Sequence, residues 1–295
     1  MLNASKTTRS RSVLASLLAI PLTLANCGCG ELVNGANLKV AVKYRPSTNE
    51  APTGDASATP AAATEVATSE GVGILRGKVV YTGAFTPLAP LYEKGADVKD
   101  PAVCAAAAAP NESIEVKDGG LANAFIYLKK APKGTSGAPA ESSVIFDQKG
   151  CVFLPHALVV RVGQTVNVLN ADSIAHNTHT NGKKNTSFNS IVSPNERMGV
   201  KLIYKQAEQD PISVVCDVHA WMKAYHLPID HPYAAVSSEN GTFEIKDLPA
   251  GKHEFKVWHE SAGPSGGLLE KALVVTIKPG DNDLTINVSP SQLGK

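Results

Sequence analysis

In the stretch Ile212-Ser213-Val214-Val215-Cys216, residues 212, 214 and 216 fall on one face of a strand, because strand side chains alternate with period two. Ile212 and Val214 mark that face as apolar, which turns the Cys216 thiol toward an interior. The loop that follows, Asp217-Val218-His219-Ala220-Trp221-Met222, adds an imidazole and a thioether. The pattern C-x2-H-x2-M therefore calls for a β-layer ending in a short loop that gathers three metal-ligating side chains at one pole. A second imidazole lies upstream, in Asn170-Ala171-Asp172-Ser173-Ile174-Ala175-His176-Asn177.

Two histidines and a cysteine in one plane, with a weak axial methionine, make the ligand set of a blue-copper electron-transfer site. Thiolate and thioether are soft and favour Cu(I), while imidazole suits both oxidation states. The expected metal ligands are His176, Cys216, His219 and Met222, holding one copper ion per chain that cycles between Cu+ and Cu2+. Two blander readings stand beside this one. A buried cysteine is often an inert small hydrophobe, and C-x2-H alone can be half of a zinc site. The methionine favours copper, since zinc makes little use of a thioether and the chain holds only three methionines.

These residues resemble the cupredoxin family. The loop spacing is closer to amicyanin than to plastocyanin, whose His-to-Met gap is longer. Leu158 to Val166, with Gly163 at its turn, resembles an early strand–turn–strand of that fold, and Val168 to Asp172 followed by His176-Asn177 resembles the segment carrying the first histidine ligand. The resemblance implies a Greek-key β-sandwich over residues 140–230. It also implies that Asn177 ties the two ligand loops together, and that the exposed edge of His219 is the electron's way in and out. Outer contacts of this kind orient ligands and tune the metal.

Other histidines compete. His179 lies three residues after His176, so on a strand the two face opposite sides; it reads as an exposed strand histidine. His156 is either a second metal ligand or, the favoured reading, a residue hydrogen-bonded within the fold. His226, His231, His253 and His259 read as surface or hydrogen-bonded residues, and Trp221 as a shield, a docking element or core packing.

Lys6, Arg9 and Arg11 precede an apolar stretch from Val13 to Leu24, the form of an export signal over residues 1–26. Leu24-Ala25-Asn26-Cys27 resembles a bacterial lipobox, although Asn26 stands where a small residue is expected, and cleavage after Ala25 is the soluble alternative. Residues 27–71 read as a disordered amino-terminal tether, poor in large apolar groups from Arg45 onward. Such a flexible stretch spans on the order of 30 Å. Beyond residue 26 the chain carries 25 bases against 27 acids, so there is no basic footprint for nucleic acid. A redox partner such as a cytochrome is expected instead, with the protein held outside the cytoplasm by a lipid on Cys27. Cys104 and Cys151 are expected to form a disulfide, as suits an exported chain, with two buried free thiols as the alternative.

The remaining sequence reads as β. Gly73 to Tyr81 and Ala124 to Leu128 are expected strands. Between them Asp100 is expected to cap a helix with Pro101 at its first position, running to Ala109. Asn240-Gly241 lies between Ala234-Ala235-Val236-Ser237 and Thr242 to Ile245 and signals a hairpin. A last strand pair is expected at Ala272 to Ile277 and Leu284 to Val288. Ser238 to Ile245 with Leu248-Pro249-Ala250-Gly251 resembles the prealbumin-like sandwich of carboxypeptidase regulatory domains. The expected fold class is thus all-β: a cupredoxin sandwich inserted in a discontinuous prealbumin-like sandwich of residues 72–135 and 231–295, with one continuous large sandwich or three loosely packed units as the alternatives. Three functional classes follow. The favoured one is one-electron transfer; the others are copper binding or storage without a redox role, and a structural or adhesion protein with a vestigial copper loop. No second set of histidines suggests a catalytic copper, so an enzyme is not expected.

Overall fold

The computed structural model describes residues 71–135, 137, 139–263 and 266–294. The expected export signal, the Cys27 anchor and the tether up to residue 70 lie outside these. The described part is all-β, as the sequence patterning implies, and its four sheets form two sandwiches.

In one sandwich, Val72–Tyr81 pairs antiparallel with Thr242–Pro249 and Gly120–Leu121, and parallel with Gly280–Val288. The facing layer runs Ala234–Val236, Phe125–Leu128, Gly251–His259, Gly267–Ile277. Period-two burial in Thr242–Pro249 sends Phe243 and Ile245 inward. They meet Leu75, Val79, Ile126, Leu128, Phe255 and Val257 in a closed apolar core.

The other sandwich has a layer ordered Asn189–Val192, His176–Thr180, Ile212–Val215, Lys223–Ile229, Ala157–Arg161. Its second layer runs Val200–Ile203, Thr165–Val168, Ser143–Gln148, Phe153–Leu154. Phe146, Phe153, Val160, Val166, Val168, Val214 and Ala224 fill the space between them.

Phe125–Leu128 and Lys223–Ile229 lack alternation, and the reason is architectural. Phe125–Leu128 is buried at every position, since Ile126 and Leu128 face their own core while Phe125 and Tyr127 face the second sandwich. Lys223–Ile229 behaves likewise: Ala224 enters its own core, and Tyr225, Leu227 and Ile229 meet Phe125, Tyr127 and Trp258. Each large apolar side chain withdrawn from water contributes roughly 1.5–3 kcal/mol, so this shared cluster fastens the sandwiches together. Cys104 and Cys151 form a disulfide across 47 positions, worth about 4 kcal/mol in the chain-entropy account.

Three local expectations are corrected. The helix is only Pro101–Cys104. Cys104 is pinned to Cys151, and the chain then leaves the helix so that Ala109 can exchange backbone hydrogen bonds with Leu91 and Tyr92. The Asn240-Gly241 turn is not a hairpin: Ala234–Val236 pairs with Phe125–Leu128, whereas Thr242–Pro249 pairs with Val72–Tyr81 in the opposite layer. Gly241 has φ +80°, and a Cβ there would lie 2.4 Å from the Val79 carbonyl oxygen, so glycine is required for this arch. The last two strands also part, Gly267–Ile277 to one layer and Gly280–Val288 to the other.

Candidate metal centre

Ile212 and Val214 are buried and Cys216, the next residue on that face, is 2% exposed. Cys216 is the free cysteine among the described residues. The loop after it turns back at once. Met222 N–H donates to the His219 carbonyl at 2.9 Å, and Cys216 N–H to the Met222 carbonyl at 3.2 Å. These two bonds fix the pole at which Cys216, His219 and Met222 leave the backbone.

His176 opens the neighbouring strand His176–Thr180, which pairs with Ile212–Val215. Its Nδ1 faces His219 Nδ1 at 3.0 Å, and Cys216 Sγ lies 3.7 Å from His219 Nδ1. The three ligand atoms lie within 4.8 Å of one another, and all three residues are buried. The structure thus brings His176, Cys216 and His219 together. Met222 is placed beside them by the loop backbone, and its side chain is 1% exposed in the apolar cluster that contains Cys216.

Asn177 links the two ligand segments. Its Oδ1 accepts from Asp217 N–H at 2.7 Å and from the Cys216 thiol at 3.3 Å, while its Nδ2 donates to Asp217 Oδ2 at 2.9 Å. This is the arrangement the family resemblance implies. His179 is outside the trio, with its Nδ1 3.0 Å from Asp217 Oδ1. His156 is bonded within the fold, between Glu260 at Nε2 and Glu112, whose Oε2 lies 3.4 Å from Nδ1. His226 Nδ1 meets the Tyr204 hydroxyl at 2.8 Å in the core, and His231 Nε2 meets the Leu128 carbonyl.

The outer nitrogens of both site histidines face carboxylates. His176 Nε2 lies 2.9 Å from Asp172 Oδ2, and His219 Nε2 lies 2.9 Å from Asp100 Oδ2. Asp172 is itself held by the N–H groups of Gly150 and Cys151 and by an Asn170 side chain that accepts from its N–H. In the sequence, Asn170 and Asp172 stand out only as part of the segment that precedes the first histidine. Asp100, read as a helix cap, makes no side-chain cap bond and turns to His219 instead.

The expectation of an exposed His219 edge is overturned. His219 is 0% exposed. Asp100 takes its outer nitrogen, and the Trp221 ring lies 5.3 Å from its ring. Trp221 in turn donates to the Cys151 carbonyl and packs edge-on against Tyr92 at 4.9 Å.

Electrostatics show what this donor set can hold. With each Nε2–H directed at a carboxylate, both Nδ1 lone pairs and the Cys216 sulfur converge on one point, which only a positive species can satisfy. Burial opposes a charge on His176, but the bonds to Asp172 and Cys216 outweigh it and raise its pKa to about 9. Burial opposes the Cys216 thiolate too, and contact with His176 and neighbouring N–H groups prevails, holding the thiol below its ordinary value. Burial pushes His219 down, toward the neutral ligand form. One thiolate and two neutral imidazoles fit copper, and Met222 shares the apolar cluster of Cys216. A second trio, Cys151, Asp172 and His176, also comes together, but its sulfur is spent in the disulfide.

No protein-family model matches the chain, and no curated protein matches it. Among solved structures, a reduced Cu(I) form of an amicyanin variant is similar over 36% of this chain and 99% of its own, at 17% identity and a TM-score of 0.27. A purple cupredoxin from Nitrosopumilus maritimus is similar over 30% of this chain and 100% of its own, at 19% identity and a TM-score of 0.25. Amicyanin from Paracoccus versutus is similar over 35% of this chain and 97% of its own, at 16% identity and a TM-score of 0.26. With TM-scores this low, the metal centre rests on its side-chain geometry and not on these likenesses.

Proposed function

We propose that the protein is an exported one-electron transfer protein built around a type 1 copper centre. The observation that carries this reading is the convergence of Cys216 Sγ, His176 Nδ1 and His219 Nδ1 at a buried pole. Copper bound there would supply the single electron by cycling between Cu+ and Cu2+. His176, Cys216 and His219 would hold it, with Met222 as the fourth ligand. Asn177 keeps the two ligand segments in register. Asp172 and Asp100 keep each imidazole in the tautomer whose Nδ1 is bare.

The rest of the reading comes from the sequence. The amino-terminal signal and a lipid on Cys27 place the protein at a bacterial membrane facing away from the cytoplasm, and the tether gives it reach. A cytochrome-like redox protein is the partner class, nucleic acid is not, and the flanking sandwich serves as a structural or docking module. The chain performs no catalysis of its own. Loading with Cu(II) tests the site: an intense visible thiolate-to-copper band should appear and should be lost in Cys216→Ala. Loaded wild-type protein without the band overturns the proposal.

One observation favours copper storage without a redox role as the second reading: the covered edge of His219. Electron exchange with a reduced cytochrome separates the two. Bleaching of the blue band on mixing supports transfer, and a band that persists supports storage.

A further inference from the structure

The cover over His219 comes from outside the copper sandwich. Residues 91–110 leave the flanking sandwich after Val72–Tyr81 and return to it before Val116–Lys117. Two contacts hold this segment over the ligand pole, and a third closes it on itself. Cys104 is bonded covalently to Cys151, Tyr92 packs against Trp221, and the Tyr92 hydroxyl donates back to the Cys104 carbonyl at 3.1 Å. Between Tyr92 and Cys104 sits Asp100, its carboxylate 2.9 Å from His219 Nε2.

The backbone at Asp100 is specialised for that contact. An N-cap residue ordinarily lies in the extended region and bonds the helix N–H groups with its side chain. Asp100 has φ 55° and ψ 53° and makes no such bond. Left-handed backbone is tolerated by Asp but uncommon outside glycine, and here it directs the carboxylate toward the ligand.

Resting on the copper reading above, we propose that residues 91–110 are a disulfide-stapled lid that makes Asp100 a positioning residue for His219. The staple fixes the lid, the lid fixes Asp100, and Asp100 fixes the ring that presents Nδ1 to the metal. An anionic acceptor on the outer nitrogen raises the basicity of a ligating imidazole, and loss of such a partner costs about 10–100-fold in metal affinity. The more basic ligand favours Cu(II) over Cu(I). Asp100 therefore sets the reduction potential as well as the affinity, and the lid keeps His219 from direct contact with a partner.

The test compares the full chain with Asp100→Asn, Asp100→Glu and the double variant Cys104→Ser/Cys151→Ser. Asp100→Asn is expected to keep the visible band and lose about tenfold in Cu(II) affinity. A tenfold loss confined to Cu(II) raises a one-electron potential by about 59 mV. Asp100→Glu should recover affinity and potential toward wild type, and the double-serine protein should move as Asp100→Asn does although Asp100 is intact. Unchanged affinity and potential in Asp100→Asn would overturn the positioning role, and unchanged values in the double-serine protein would overturn the staple. A separate readout uses metal-free protein, with carbethoxylation of His219 by diethyl pyrocarbonate followed by mass spectrometry. Slow labelling in wild type and fast labelling in the double-serine protein support the lid, whereas equal rates refute it. Wild-type protein that is protected yet gives no blue band refutes the copper reading alone.

Discussion

The two sandwiches use buried polarity very differently. Among the described residues, twelve buried polar or charged side chains lie between residues 140 and 230, and three lie in the flanking sandwich. The flanking three are single hydrogen-bonded groups, such as Ser237 between the Leu121 carbonyl and the Ala124 N–H. The twelve include Asn170, Asp172, His176, Asn177 and His219, crowded at one pole. Burying such groups is costly unless each is paired, and these five all have hydrogen-bond partners. Free energy that one sandwich puts into apolar packing, the other puts into holding donors at fixed positions. That division is in keeping with the proposal, which puts the copper site in the 140–230 sandwich and a structural role in the flanking one.

Damage to the flanking core should leave the metal pole alone. Phe255 is fully buried there, and Phe255→Ala should cost about 3–5 kcal/mol in denaturant unfolding. The copper band of the protein that remains folded should be unchanged; a shifted band would show that the two sandwiches are not divided in this way.

The clasp between the sandwiches predicts a pH-dependent effect. His156 lies between Glu112 and Glu260. Burial opposes its charge, but the two carboxylates outweigh it and raise its pKa to about 9. Since that folded value lies above the unfolded one, its contribution is fully present below about pH 6.5 and lost as pH rises through about 9. Glu260 is held below the ordinary carboxylate range: burial opposes this, and the bond from His156 prevails. The share from Glu260 is present above about pH 4.3 and fades below it. His156→Gln should therefore cost about 3 kcal/mol between roughly pH 5 and 6.5, and much less at about pH 10. A penalty equal at both pH values would contradict the clasp.

The smallest expected effect is at the rim of the site. Trp221→Phe removes the hydrogen bond to the Cys151 carbonyl and keeps a ring against Tyr92. It should cost about 1 kcal/mol and leave copper affinity within a fewfold of wild type. A large loss of affinity would make Trp221 part of the ligand support and sharpen the boundary of the pole.

Much of this was legible in the sequence where periodicity carries it. Strand alternation placed Cys216 inward, and the three-residue offset on one strand separated His176 from His179; both positions hold in the structure. Asn177 was legible through the family resemblance. Partners chosen by tertiary proximity were not. An Asp before Pro looks the same whether it caps a helix or braces a ligand 119 positions away. Turn chemistry at Asn240-Gly241 fixes a chain reversal but not the strands that each arm joins. The run of alanines after Cys104 favours a helix locally, yet the disulfide and the bonds to Leu91 and Tyr92 override it.

Whether Cys216, His176 and His219 form one copper centre can be read from stoichiometric Cu(II) titration of the metal-free full chain, followed by visible absorbance. An intense band is expected that saturates at one copper per chain, survives in His179→Ala, and disappears in Cys216→Ala and His176→Ala. A titration with no such band, or a band that survives removal of Cys216, would contradict the copper centre.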